Sequence, residues 1–378
     1  MANSNLTEAK RAKNDEFYTQ FHDIEKEISA YLEYNPDVFQ GKTLLLPCDD
    51  PEWSNFTKYF AQNFERFGLK KLISTSYAVE SKNYKGVYQP TLFEINDPQF
   101  DKIKTRKNGK IFTLSHDKTG DHKVNVDDLE WHYLTGDGDF RSDEIKKLRD
   151  ESDIIITNPP FSLFREFLAW IVKAEKQLLI IGNMNAITYK EVFPFIKDNK
   201  LWLGATNFNT GMYFQVPENF VYANTYKFER EQNGVKVNRV PGVCWFTNIE
   251  HGRRHQPLPL MTMADNLKFS KHKEIKGKKS YDVYDNYDAI EIPFTDSIPS
   301  DYDGAMGVPI SFLDKYSPEQ FEILGITDRD NNSGLKTREY TEEDVPNPGD
   351  LNRRGVIKIG NEYKSTYARL LIRKKPKK

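Results

Sequence analysis

The chain has 378 residues, 38% of them apolar and 13% aromatic, with a formal charge of −2. That length suits one large domain plus a second lobe, and the aromatics supply core area that the modest apolar fraction would otherwise lack. A near-neutral charge argues against a histone-like polyanion binder but leaves room for a basic cleft. Two cysteines, Cys48 and Cys244, allow neither a metal-ligand pair nor a disulfide framework beyond one bridge. The first 20 residues have no apolar core, so no signal peptide is expected. No apolar run reaches membrane-spanning length. A reduced, cytoplasmic protein with no membrane association is expected.

Residues 1–14 are polar and expected to be flexible. In "DEFYTQFHDIEKEISAYLEYN", Ile24, Ile28, Tyr31 and Leu32 recur at helical spacing. "GKTLLLPCDDP" reads as a buried strand over Thr43 to Leu46 that exits into Cys48, Asp49 and Asp50. "SNFTKYFAQNFERFG" reads as a helix with Ser54 as N-cap, an aromatic stripe through Phe56, Tyr59, Phe60, Phe64 and Phe67, and Gly68 as its stop. "KKLISTSYA" is a second strand, so this stretch has the length of a βαβ unit. Residues 80–130 are polar and irregular and read as an insertion. "TGDGDFRSDEIKKLRDE" is a tight turn and a helix, "SDIIITNPPF" a strand, "SLFREFLAWIVKAEKQ" a helix and "LLIIGNMNA" a further strand. The alternation predicts an α/β fold with a mainly parallel, doubly wound sheet over residues 15–205. From 206 to 378 the texture is β-rich, with short segments such as "MYFQVP", "TYKFERE", "PGVCWFTNI" and "YDAIEIP". Within it "SPEQFEILG" is the first clear longer helix, and "ARLLIRKKPKK" is a last strand returning to the core, with a basic tail.

In such a sheet ligands bind beyond the carboxyl ends of the strands. Those ends carry Cys48-Asp49-Asp50, Ser74-Thr75-Ser76, Gly136-Asp137-Gly138-Asp139 and Asn158-Pro159-Pro160-Phe161. Neither GxGxxG nor GxxxxGK[ST] occurs, so a nucleoside-like cofactor without phosphates fits better than a dinucleotide or triphosphate. Two successive prolines remove two backbone donors and stiffen the strand exit. The exit then presents an amide, a carbonyl and an aromatic face together, which suits a flat ligand with donor hydrogens.

"NPPF" at a strand end, downstream of a nucleoside-type βαβ unit, resembles the catalytic motif of S-adenosylmethionine-dependent amino methyltransferases. "KNDEFYTQ", "CDDPEWSNFTKYF", "TNPPFSLFREF" and "GAMGVPISFLDKYSPEQFEILG" together resemble the EcoRI-type adenine-specific DNA methyltransferases, over roughly residues 10 to 372. The resemblance implies a Rossmann-like methyltransferase sheet with a C-terminal, β-rich target-recognition region. It also implies S-adenosyl-L-methionine as cofactor and a flipped adenine in double-stranded DNA as substrate. Asn158, Pro159, Pro160 and Phe161 would then be catalytic. The Asn158 oxygen and the Pro159 carbonyl would accept the amino hydrogens, and Phe161 would stack on the base.

By the same resemblance Phe17 and Tyr18 would pack near the methionine part of the cofactor. Cys48, Asp49 and Asp50 replace the usual Gly-containing loop, with either acid able to meet the ammonium group. Asp137 would approach the cofactor adenine, and Glu80 is the nearest acid for its ribose. "HGRRHQP" offers Arg253 and Arg254, and the tail offers Lys374 and Lys375, as nucleic-acid contacts. No metal is expected. A monomer is expected, with any cognate restriction endonuclease acting separately. An RNA-base or protein-glutamine methyltransferase, or a catalytically silent DNA-binding relative, is the alternative.

Overall fold

The computed structural model describes residues 18–49, 54–78, 97–206, 208, 210–215, 229–232 and 235–376. It divides into two compact units, Met1–Met184 with Leu203–His251, and Asn185–Trp202 with Gly252–Lys378.

The first unit opens with a short strand, β1 (Tyr18–Thr19), and helix α1 (Phe21–Tyr34), which buries Ile24, Glu27, Ile28 and Tyr31. Then β2 (Thr43–Leu46), α2 (Asn55–Gln62) and β3 (Lys71–Ser76) form the expected βαβ unit. Ser54 caps α2 by accepting from Phe56 N at 3.1 Å, as its position before the aromatic stripe predicts. The helix ends at Gln62 rather than at Gly68, because residues 63–68 are turns. The stripe still packs: Phe39, Tyr59, Phe60 and Phe67 meet edge-on or tilted with centroids 5.4–6.1 Å apart.

The region expected to be irregular is structured from residue 97 onward. It holds α3 (Lys102–Lys107), β4 (Lys110–Leu114) and β5 (Glu130–Tyr133). Ile111, Phe112 and Leu114 are buried, so β4 earns its place in the sheet by side-chain packing that its polar flanks conceal in sequence. Then come α4 (Asp143–Glu151), β6 (Ile154–Thr157), α5 (Phe164–Val172) and β7 (Gln177–Asn183).

An eight-stranded sheet takes the order β5-β4-β3-β2-β6-β7-β12-β8, where β8 is Trp202–Leu203 and β12 is Val243–Thr247. Its centre, β3-β2-β6-β7, is parallel. The flanking pairs β3/β4, β4/β5 and β7/β12 are antiparallel, so the sheet is mixed rather than mainly parallel. β2 and β6 are buried along their whole length, which explains unbroken Leu and Ile where a half-exposed strand would alternate. A second sheet of this unit takes the order β1-β9-β11-β10, with β9 Met212–Gln215, β10 Glu229–Gln232 and β11 Val235–Val240.

The second unit contains α6 (Phe193–Lys197), α7 (Met263–Phe269), β13 (Ile290–Glu291), β14 (Met306–Pro309), β15 (Phe321–Ile326), β16 (Val356–Ile359), β17 (Glu362–Ser365) and β18 (Arg369–Lys374). The stretch read as a helix over "SPEQFEILG" is strand β15. Phe321 and Ile323 are buried while Glu322 and Leu324 are less so, the period of two that marks a strand. The last strand, β18, lies between β14 and β15 and completes this unit's own sheet, not the eight-stranded one.

Gly182 on β7 has no side chain for a reason of space. A Cβ there would lie 2.3 Å from the ring of Phe164, the first residue of α5, which itself packs on Phe246 at 5.2 Å. Gly182→Val is expected to lower stability by about 1–3 kcal/mol through overpacking, read by urea denaturation. A native midpoint would show that α5 does not depend on this seat.

Candidate functional site

The chain passes from β2 outward to β3 on one side, then crosses back to place β6 on the other side of β2. The exits of β2 and β6 therefore flank a topological switch point, where open α/β sheets leave a crevice. The Thr157 hydroxyl donates to the Pro47 carbonyl at 2.7 Å and ties the two exits together.

At the β6 exit Asn158 is half-buried, Pro159 is buried and Pro160 is half-buried. The side-chain oxygen of Asn158 is itself buried. Leu163 N donates to the Pro160 carbonyl at 2.9 Å, closing the short 3₁₀ turn that leads into α5. Phe161 differs from expectation. Its ring is 6% exposed and packed in the core cluster with Leu46 and Ile156, so it is not displayed as an open aromatic face.

At the β2 exit Cys48 adopts a left-handed backbone, φ 63°. Burial, with Asp139 and Asp49 nearby, pushes its thiol up to about 12, so it stays protonated at neutral pH and is no nucleophile. Asp49 is buried and sits over the start of α2. Its carboxylate accepts from Thr57 N at 3.2 Å, from Thr57 Oγ1 at 2.8 Å and from Ser54 Oγ. Its own N–H donates to the Thr75 carbonyl at 2.7 Å. The helix N-terminus that would hold a pyrophosphate is thus already filled by a carboxylate. This fits a phosphate-free nucleoside ligand and disfavours a dinucleotide. Thr75 Oγ1 is buried beside this loop with no hydrogen-bond partner among the described residues.

At the β3 exit the turn containing Asp137 lies against the strand end. Ala78 N donates to the Asp137 carbonyl at 2.8 Å. Cβ atoms at Gly138 (φ +88°) and Gly109 would lie 2.2 and 2.4 Å from the Ser76 carbonyl, so only glycine allows this approach. Asp137 Oδ1 accepts from Asp139 N at 3.1 Å. Asp139 holds Arg141 at 2.9 Å, and that guanidinium keeps its carboxyl below the usual range.

Tyr18 is half-buried in β1, and Asn55 at the start of α2 donates to the neighbouring Thr19 carbonyl at 2.8 Å. Thr19, which the sequence reading passed over, has a buried hydroxyl with no hydrogen-bond partner among the described residues. Phe17, Asp50 and Glu80 lie outside the described residues.

The expected nucleic-acid contacts are placed unequally. Arg254 is 3% exposed, its guanidinium 3.8 Å from the Trp202 ring centroid and donating to the Asn199 side chain. That burial turns it away from solvent. Arg253 is more exposed and pairs with Asp314 at 2.5 Å. Lys374 bonds the Ser300 carbonyl and pairs with Asp303 at 3.2 Å, while Lys375 is exposed and donates to the Pro318 carbonyl at 2.6 Å. Among the described residues no His, Cys, Asp and Glu group has metal-ligand geometry, and no helix is long and apolar enough to cross a membrane.

The family model described as "Adenine-specific methyltransferase EcoRI" matches residues 5–375. The type II methyltransferase M.EcoRI of Escherichia coli is 42% identical over 332 residues, covering 87% of this chain and 92% of that protein. The type II methyltransferase M.MpnI of Mycoplasma pneumoniae is 35% identical over 317 residues, 84% of this chain and 83% of its own. M.MgeORF184P of Mycoplasma genitalium, another type II methyltransferase, is 35% identical over 318 residues, 84% of each chain. No solved structure matches this chain significantly.

Arg254→Ala is expected to cost about 2 kcal/mol, because it removes a desolvated cation–π contact and the stem packing beneath it. Lys375→Ala is expected to stay within about 0.5 kcal/mol. Thermal denaturation checks both, and equal effects would contradict the assignment of Arg254 to the interior.

Proposed function

The chain belongs to the family of the adenine-specific methyltransferase EcoRI, and from that membership we propose that it is a site-specific DNA N6-adenine methyltransferase using S-adenosylmethionine. The observation that carries the reading is the Asn158-Pro159-Pro160 exit of β6, set at the switch point and tied to the β2 exit through Thr157 and Pro47. S-adenosylmethionine, when bound, supplies an already activated sulfonium methyl group. The protein's task is then to position the nitrogen that receives it.

An adenine amino group is planar because its lone pair is delocalised into the ring. Asn158 Oδ1 and the Pro159 carbonyl accept its two hydrogens, favour the pyramidal nitrogen and direct the lone pair outward. Both prolines lack N–H groups, so the exit offers acceptors there without competing backbone donors. The base reaches these acceptors only when rotated out of the duplex, at a cost of about a few kcal/mol. Since Phe161 lies in the core, the base meets it at the cleft wall or after the ring turns outward.

The cofactor is held at the β2 and β3 exits. Tyr18 faces its methionine part, Asp137 approaches its adenine, and Cys48 contributes shape rather than reactivity. Asp49 acts by fixing the loop on α2. The β-rich C-terminal region reads the target site, and exposed Lys375 and Arg253 supply phosphate attraction. Arg254 holds their surroundings in place. The type II designation of the relatives supports a place beside a separately acting restriction endonuclease. The protein works as a monomer, suited to one base per visit.

Two measurements test this. Methylation-sensitive sequencing of plasmid from cells expressing the protein is expected to show methyladenine in one short motif. Asn158→Ala is expected to reduce that methylation by about 100-fold or more while binding S-adenosylmethionine near normally in calorimetry. Unmethylated plasmid with the native protein, or unchanged turnover in the variant, would overturn the reading.

A further inference from the structure

The second sheet of the first unit carries a side chain that nothing above explains. Asn238 on β11 is fully buried, and neither its Oδ1 nor its Nδ2 has a hydrogen-bond partner among the described residues. A buried amide without partners forfeits its hydration for nothing, and folded proteins rarely retain one unless a ligand completes it.

Its place in the sheet points to which ligand. Phe214 on β9 pairs with Asn238 on one side and with Thr19 of β1 on the other. Directly paired residues project from the same face, so Thr19, Phe214 and Asn238 form one row. Thr19 also carries a buried hydroxyl with no partner among the described residues. On that face Met212, Phe214 and Val240 join the apolar cluster that includes Phe161 and Ile156, at the β6 exit. At the other end of the row the Thr19 carbonyl accepts from Asn55, on the helix that Asp49 caps at the β2 exit. The row therefore runs from the candidate site into an apolar, aromatic wall.

An ammonium or carboxylate would be poorly accommodated in such surroundings, whereas a neutral flat base would be. Once its amino hydrogens are taken by Asn158 and Pro159, adenine presents only acceptors on its remaining edge, the ring nitrogens N1, N3 and N7. Each of these adjoins a polarised C–H. An amide matches that pattern, with its N–H to a ring nitrogen and its oxygen toward the neighbouring C–H.

We infer that Asn238 is a specificity residue for the target base, donating a hydrogen bond from Nδ2 to a ring nitrogen of the extruded adenine. This rests on the methyltransferase reading. A base bearing a protonated ring nitrogen, as guanine does at N1, would set donor against donor and be rejected.

The test uses the full-length protein and duplexes containing the methylated motif. Asn238→Leu, similar in volume and without polar atoms, is expected to raise the melting temperature. It should bind S-adenosylmethionine as the native protein does in calorimetry and lose roughly 10- to 100-fold in kcat/KM on the duplex. With 1-, 3- or 7-deazaadenine at the target position, one analogue should cost the native protein a similar factor and cost Asn238→Leu little, the mark of a direct pair. Asn238→Asp, which keeps the shape and removes the donor, should show the same insensitivity.

Native kcat/KM in Asn238→Leu, or equal sensitivity of native and variant to all three analogues, would overturn the inference. A loss confined to S-adenosylmethionine affinity would move the contact to the cofactor's own adenine and also overturn it. Failure of both variants to fold would show that the amide serves the apo structure. A native protein inactive on every duplex would sink the methyltransferase reading itself, an outcome distinct from an active native protein with an equally active variant.

Discussion

The hydrogen bond from the Thr157 hydroxyl to the Pro47 carbonyl holds the functional end of this molecule together. It joins the exits of two adjacent parallel strands at the point where the chain reverses its direction of winding. Beyond it the two paths diverge, one into Cys48 and Asp49 and the other into Asn158 and two prolines. Because neither proline can donate to a ladder, the sheet must end there. What remains at the β6 exit is a set of acceptors on a rigid turn. The reaction proposed for it needs acceptors in fixed places more than it needs a base or a metal.

The electrostatics of the β2 exit fit the same chemistry. A Rossmann sheet that binds pyrophosphate leaves the first helix N-terminus open to the anion. Here Asp49 occupies it, with Ser54 and Thr57 as donors. Cys48, the most conspicuous side chain of the loop, is held as a neutral thiol by burial. The loop is built to accept an uncharged nucleoside surface and to stay chemically silent toward it.

Much of this was legible in the sequence, because local signals and tertiary demand agreed. Ser54 before an aromatic stripe marked a helix start, and Ile154 to Ile156 marked a central strand. Where they disagreed the reading failed. β4 and β5 lie among polar residues, and only their pairing beside β3 makes them strands. "SPEQFEILG" has helix formers, but burial of Phe321 and Ile323 selects a strand. Among site residues, the motif Asn158 to Phe161 was visible because two prolines after a β-branched run are unusual. Its Phe161 was expected in the open, since a sequence does not say which side of a turn meets the core. Arg254 looked like a surface arginine because its partners, Trp202 and Asn199, are about 50 residues away in the chain. Thr19 and Asn238 carried no signal, since only the pairing of each with Phe214 brings them into one row.

The central claim is that the β6 exit receives a base drawn out of the duplex. The most direct measurement is the fluorescence of 2-aminopurine placed at the target adenine, followed as the protein is added with S-adenosylmethionine's demethylated product present. Extrusion removes stacking, so a large rise at the target position and little change one base pair away is the predicted result. No rise at the target, under conditions where gel shift shows the duplex fully bound, would contradict the account.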